Sequence, residues 1–459
     1  MTLLLSDSRR NVRACLVCWL ACAAIPTVYG DDWPQWMGPR RDGVWRESGL
    51  VATIPAGGLP VKWRVPVKGG YSGPAVADGR VYLTDYDRPA GPLGNAPNDR
   101  TQLAGRERVL CVDAATGDLL WEHAYDCRYG ISYAAGPRCT PTVADGKVYS
   151  LGAEGNLVCL DAATGRVVWQ KDFKQDYSAP TPLWGFCGHP LVEGELLICL
   201  VGGPGSVAVA FDKETGQERW RALSASESGY CPPTMIEHDG RRQLIIWDAD
   251  NLNALEPATG RVIWSQPLKP MYGMAIMAPQ VAKTPEGVVL FASGIGRVGA
   301  LFRLADDGSG PSVLWRGEPK TAVYCANSTP FIAGAAVYGC DCDTGMLTAV
   351  DLASGQRLWE TLAPTTGGER RSKHGTAFLV RQAPPGDGSR VWIFAETGDL
   401  ILARLTPERY EELGRMHLLD PTNECFGRAV VWSHPAFAER CVFARNDREL
   451  ICVSAAAPE

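Results

Sequence analysis

The stretch Val112-Asp113-Ala114-Ala115-Thr116-Gly117-Asp118-Leu119-Leu120-Trp121 decides the fold, because the chain repeats it. It recurs as Leu160-Asp161-Ala162-Ala163-Thr164-Gly165-Arg166-Val167-Val168-Trp169. Further copies run through Asp212, Thr215, Gly216 and Trp220, through Glu256, Thr259, Gly260 and Trp264, and through Asp351, Ser354, Gly355 and Trp359. A looser copy holds Asp306, Gly310 and Trp315. Successive tryptophans lie 48, 51, 44, 51 and 44 residues apart. That period suits a four-stranded propeller blade of about 40–50 residues. An apolar strand ends at the Asp, whose carboxylate accepts the amides of the following turn. The Thr or Ser hydroxyl supports the same turn. The Gly supplies a positive φ for the hairpin and its bulge. The Trp buries its ring between neighbouring blades while its indole N–H finds a partner. Trp63, Trp121, Trp169, Trp220, Trp264, Trp315 and Trp359 are assigned to this structural girdle.

A second signal opens each repeat. Ser72-Gly73-Pro74-Ala75-Val76-Ala77-Asp78-Gly79 matches Thr140-Pro141-Thr142-Val143-Ala144-Asp145-Gly146, and Thr329-Pro330-Phe331-Ile332-Ala333-Gly334 follows the scheme. It reads as an inner strand, a tight turn at Gly and a return strand. Inner strands are placed near Ser72, Thr140, Pro190, Pro232, Pro279, Pro330 and Thr376, and an eighth near Gly427. The last unit lacks its own Trp strand, and the segment from Val61 to Val67 supplies one, closing the ring and removing an open edge. The fold class is therefore all-β, a single eight-bladed propeller of four-stranded antiparallel blades, with seven blades as the alternative count. Blade seven is degenerate, and its charged stretch Pro407 to Arg415 is expected to form a helical turn. The chain divides into residues 1–30, a signal peptide, 31–60, a segment packed on the outer surface of the propeller, and 61–459, the propeller itself. Residues 87–106 form an insertion in blade one.

Composition narrows the function. The chain has 459 residues, a formal charge of −6, 50 glycines and 33 prolines. A mildly acidic protein lacks the basic face that nucleic-acid binding requires. Arg9, Arg10 and Arg13 precede the apolar run Ala14 to Ile25, and Val28-Tyr29-Gly30 ends in a small residue, the pattern of an export signal. The run is too short to span a bilayer, and the mature protein is expected in the periplasm or outside the cell. Two variants are a twin-arginine signal at Arg9-Arg10 and a lipoprotein anchor at Cys22. Cys15, Cys18 and Cys22 fall in the signal. The other thirteen cysteines cannot all pair, and Cys111, Cys159, Cys199 and Cys452 read as small buried hydrophobes.

The repeats resemble those of the pyrroloquinoline-quinone (PQQ) propeller superfamily, whose blades carry an Asp-x-x-Thr-Gly-x-x-x-Trp docking motif. Asp32-Trp33-Pro34-Gln35-Trp36-Met37-Gly38-Pro39-Arg40-Arg41-Asp42-Gly43 resembles the opening of exported PQQ-like repeat proteins of planctomycete-type bacteria. His374-Gly375-Thr376-Ala377-Phe378, Glu396-Thr397-Gly398-Asp399-Leu400 and Val431-Trp432-Ser433-His434-Pro435 resemble the same group. The resemblance implies the fold. It leaves the activity open between quinoprotein dehydrogenases and a lipoprotein scaffold of outer-membrane β-barrel assembly. A dehydrogenase would add PQQ with Ca²⁺, an ion held by Glu, Asn and Asp, and often a disulfide between adjacent cysteines. This sequence has no Cys-Cys pair and no Cys-x-x-Cys-His haem site.

Blade topology sorts the loops. Inner-strand entrances and middle turns share one face, here called upper, and the Asp-Gly and Thr-Gly turns share the lower one. Tyr71, Arg138, His189, Tyr230, Asn327, Lys373, His374 and Arg428 stand at entrances. Glu154, Asp248, Asp250, Asp341, Asp343, Glu396, Arg445 and Asn446 stand in middle turns. Of these, Arg138, His189, Tyr230, Asn327, Lys373, His374, Arg428 and Arg445 are the expected ligand-binding residues. Arg138, Lys373 and Arg428 suit an anion. His374 with Glu396 is the candidate catalytic pair. No metal site is assigned. The expected function is a monomeric exported scaffold binding a small anionic or glycan ligand, or another exported protein, through its funnel face. The alternative is a PQQ- and Ca²⁺-dependent dehydrogenase of an alcohol or sugar.

Overall fold

The computed structural model describes residues 31–458 except 92, 94, 96 and 384–387, so the export signal lies outside the described residues. Eight four-stranded antiparallel blades form the molecule, which removes the seven-blade alternative. Blade one comprises Ala75–Ala77, Arg80–Asp87, Thr101–Asp113 and Leu119–Ile131. Its two 13-residue strands extend beyond the other strands of the ring at the upper face, where the loop 88–100 joins Arg80–Asp87 to Thr101–Asp113. Blade eight comprises Ala436–Ala438, Cys441–Arg445 and Glu449–Ser454, and Val61–Pro66 pairs antiparallel with the last of these, Trp63 opposite Cys452. The ring is closed by the N-terminal strand, as the repeat arithmetic requires.

The girdle is built as its residue types dictate. Asp113 Oδ1 accepts the amides of Ala115 and Thr116, both at 2.9 Å, and Asp161, Asp212 and Asp351 repeat this turn. Each Trp then reaches the next blade. Trp63 Nε1 donates to the Ala114 carbonyl and Trp121 Nε1 to that of Ala162, each at 3.0 Å, and Trp169, Trp220, Trp315 and Trp359 do likewise. Trp264 departs from the pattern and donates to Gln243 Oε1 in its own blade at 3.2 Å. The next repeat, with Asp306 and Gly310, is the loose one, and its Ala305 carbonyl meets His238 Nε2 instead.

Three expectations are corrected. Tyr410–His417 is the outer strand of blade seven rather than a helical turn. The ladder to Asp399–Leu405 holds it, with Arg404 paired to Glu411 across the strands. Next, blade eight begins at Ala436 rather than near Gly427. Residues Asn423–Cys425 and Arg428–Val430 form a separate hairpin around Phe426 and Gly427, both at positive φ. Its tight turn mimics the repeat signal, whereas the Pro that announces an inner strand is Pro435.

The third correction concerns residues 31–45, which enter the central channel instead of covering the outer surface. Residues 50–60, by contrast, pass along the outer strands of blades seven and eight, the Leu59 amide meeting Met416 and the Ser454 amide donating to the Pro60 carbonyl. Trp33 exchanges backbone hydrogen bonds with Val76, and the Val143 amide donates to the Pro34 carbonyl. Val44–Trp45 lies parallel to Arg381–Gln382, on the inner strand of blade seven. Arg41 donates to the His189 and Pro190 carbonyls. The segment leaves along Ala455 to Ala457 and continues to Val61. Inner strands present ladder groups to the channel, and a threaded segment satisfies some of them. Trp33, Trp36 and Trp45 are buried there.

Candidate functional site

Above the threaded segment, the channel opens into a cavity of about 450 Å³ on the upper face. Trp36 forms its floor, stacked on His189 with ring centroids 4.9 Å apart and with His434 edge-on at 6.2 Å. Phe378 packs on His434 at 4.2 Å. Pro97 and Asn98 reach the cavity from the blade-one loop, which is tied across the top through Asn95 to the Glu424 carbonyl.

Six of the eight expected binding residues line this cavity: Arg138, His189, Tyr230, Asn327, Lys373 and His374. The Arg138 guanidinium lies 5.1 Å from the Tyr71 ring centroid, and its Nη2 donates to the Ser132 and Tyr133 carbonyls at 2.7 Å. Tyr230 donates its hydroxyl to Glu227 at 2.9 Å. Asn327 donates to Thr376 at 3.1 Å. His189 Nδ1 accepts the Thr140 amide at 2.9 Å, which fixes the ring against Trp36. Burial holds His189 well below the usual histidine range and lowers His374 and His434 to about 4. All three imidazoles are neutral at pH 7.

Arg428 and Arg445 are placed elsewhere. Arg428 pairs through Nε with Glu396 at 2.6 Å, behind the cavity wall. Arg445 is fully buried and donates to the carbonyls of Asn446, Thr84 and Lys68. Its guanidinium ties blade eight to blade one. Glu396 is 1% exposed and also accepts Trp432 Nε1 at 3.1 Å and the Thr376 amide at 3.0 Å, so its oxygens are engaged in holding the loops. His374 lines the cavity with its ring stacked on Phe426 at 4.9 Å. No hydrogen bond joins it to Glu396 among the described residues.

The middle-turn carboxylates are likewise occupied. Glu154 accepts from the Gly130 amide, Lys174 and Thr181, and Asp248 from the Asp250 and Asn251 amides and Asn253. Asp341 pairs with Arg357 at 2.7 Å. None of these lines the cavity, and the described lining contains no Asp or Glu.

The cavity is instead dominated by residues that sequence reasoning passed over, including Trp36, Tyr133, Trp184, Tyr272, Phe426 and Trp432. Four lining residues adopt left-handed backbone conformations, Tyr133 (φ 52°), Tyr272 (59°), His374 (57°) and Phe426 (50°). Bulky residues there carry strain of order 1–2 kcal/mol each. Such strain collects where side chains must be aimed. The available signal was positional, since these rings sit in or beside inner-strand entrances.

A family model described as outer membrane protein assembly factor BamB, of the PQQ repeat type, matches residues 105–361. No curated protein matches the sequence. Among solved structures, the chain is similar to BamB from Moraxella catarrhalis, with 14% identity, TM-score 0.55, and coverage of 86% of this chain and 97% of that one. It is also similar to the quinohemoprotein alcohol dehydrogenase from Comamonas testosteroni, with 14% identity, TM-score 0.61, and coverage of 93% and 81%. At this identity the likeness shows the fold alone.

Proposed function

The chain belongs to the PQQ-type repeat family described as outer membrane protein assembly factor BamB, and from that premise we propose that it is an exported binding module whose ligand is a small organic molecule held in the upper cavity. The observation that carries the proposal is the cavity itself. Its volume of about 450 Å³ falls in the range of small-molecule sites, about 300–1,000 Å³. Its walls are aromatic rings with a few polar groups, and several of those rings stand on strained backbone. A protein partner, the other binding reading, is supported by the likeness to BamB alone.

The donor set of the cavity does not suit the dehydrogenase alternative. Ca²⁺ takes six to eight oxygen ligands, carboxylates prominent among them. The cavity lining offers no carboxylate, and no cluster of three His, Cys, Asp or Glu suited to a metal occurs among the described residues. The residues present do not fit PQQ held through Ca²⁺.

Two measurements test the proposal. Native mass spectrometry of protein recovered from the periplasm is expected to show a bound small molecule. Ala326→Phe and Ile276→Trp, which fill the cavity, are expected to abolish it while circular dichroism stays unchanged. Retention of the molecule by both folded variants overturns the assignment. Export rests on residues 1–30, and sequencing of the mature protein is expected to begin near Asp31. A mature chain still starting at Met1 rejects it.

A further inference from the structure

Resting on the cavity as the ligand site, we infer that its ligand is an aromatic acid, a flat apolar ring system carrying a carboxylate or sulfonate, bound without a metal ion. The charge inventory is one-sided. The lining contains two cations, Arg138 and Lys373, and no Asp or Glu. Of the carboxylates behind the wall, Glu396 pairs with Arg428 and Asp343 with Arg297 at 3.7 Å, while Glu227 accepts the Tyr230 hydroxyl and burial raises its pKa, favouring the uncharged acid. Arg370 and Arg371 are exposed on the loop that carries Lys373, with Glu369 as the nearby counter-charge. Arg138 and Lys373 therefore set a positive charge against an otherwise largely apolar chamber.

The two cations differ in what they have left to give. Arg138 spends its Nη groups on the Gly136, Ser132 and Tyr133 carbonyls and lays its face on Tyr71. It contributes field rather than free donors. Lys373 is exposed and pairs with no carboxylate among the described residues, so its ammonium is available to an incoming anion.

The chamber below suits rings and not sugars. A glycan hydroxyl needs a partner in the wall, since an unmet polar group in an apolar site is costly. The lining has two amide side chains, Asn98 and Asn327, and the second already donates to Thr376. Beyond the tyrosine hydroxyls, of which that of Tyr133 is buried without a partner, and the imidazoles, it offers Met274, Met277, Ile276 and ring faces such as Trp184, packed edge-on to Tyr230 at 5.7 Å. Ring pairs of this kind accept a further planar group by offset stacking.

The test uses the whole mature protein and fluorescence quenching of its tryptophans, checked by calorimetry. The probes are 2-naphthoate, 2-naphthalenesulfonate, 2-naphthylmethanol, 2-naphthylmethylammonium, maltotriose, and PQQ with Ca²⁺. The two acids are expected to bind about tenfold more tightly than the alcohol, with the ammonium weakest and EDTA without effect. Lys373→Met, at an exposed position that threatens no packing, is expected to weaken both acids about five- to tenfold and leave the alcohol unchanged. If the alcohol binds as tightly as the acids, if maltotriose binds best, or if PQQ binds best and only in the presence of Ca²⁺, the metal-free aromatic-acid class is overturned while the cavity assignment stands. If no probe binds, the aromatic-acid inference falls while the cavity assignment rests on the molecule recovered with the protein; if the probes bind and Ala326→Phe alters none of them, both fall together.

Discussion

Histidine chemistry at the cavity illustrates what single residues contribute. His434 and His374 are lowered to about 4 by burial, against an ordinary value near 6.5. The unfolded chain therefore binds protons that the folded one refuses. Their neutral forms favour folding above pH 6.5, and that contribution is lost as the pH falls toward 4. Chemical denaturation between pH 7 and 4 should show stability falling with acid, and His434→Asn should flatten the profile. His417 has the opposite sign. Its nitrogens lie 2.9 Å from Asp399 and 3.0 Å from Asp420, and these carboxylates raise its pKa. Its contribution is full below about pH 6.5 and disappears as the pH rises through the elevated folded value. The Arg428–Glu396 pair makes a larger prediction. Arg428→Met strands a buried carboxylate and should cost about 3 kcal/mol in urea unfolding, whereas Arg428→Met with Glu396→Met should recover most of it. Loss of less than 1 kcal/mol in the single variant would contradict this account. None of these roles was legible beforehand. Arg138, Arg428 and Arg445 look alike in sequence, and only their neighbours separate a cavity wall, an ion pair and a blade-to-blade tie.

Elements, by contrast, were read closely, because a blade hairpin is specified by residues within ten positions of one another. The Asp turn and the Trp donor appear as their side-chain chemistry requires. The structure adds a second duty for the repeat glycine. A Cβ on Gly165 would stand 2.5 Å from the Trp121 ring, besides sitting at φ 70°. Gly146 has φ 72° and nothing within 4 Å. Gly146→Ala should therefore cost about 1 kcal/mol from backbone strain alone. Gly165→Ala should cost about 2–4 kcal/mol, since the ring must also move. Equal losses in paired urea titrations would refute the packing role. The elements that misled were those with two local solutions. Pro407 to Arg415 is rich in residues that suit a helix, but pairing with Asp399–Leu405 settles it as a strand. The Phe426-Gly427 turn imitates an inner-strand turn while belonging to a small hairpin over the cavity.

At the level of the whole molecule, the threaded N-terminal segment converts an open channel into a chamber with a floor. Trp45 is 1% exposed and packs against Trp392 at 5.5 Å and Phe437 at 5.0 Å. Trp45→Ala should cost about 3–5 kcal/mol. Deleting residues 31–45 should leave the ring closed through Val61–Pro66. Amide exchange should then accelerate in Ala377–Gln382, and aromatic probes should lose their floor at Trp36. Unchanged exchange in that strand would place the segment elsewhere. The sequence by itself determined the propeller architecture and the order of strands within its blades, because each follows from short-range spacing repeated along the chain. Only the tertiary structure decided that residues 31–45 occupy the channel and that Trp36, His189 and His434 meet. Those contacts join positions hundreds of residues apart, and a meeting made by closure of the ring leaves no periodic trace in the chain.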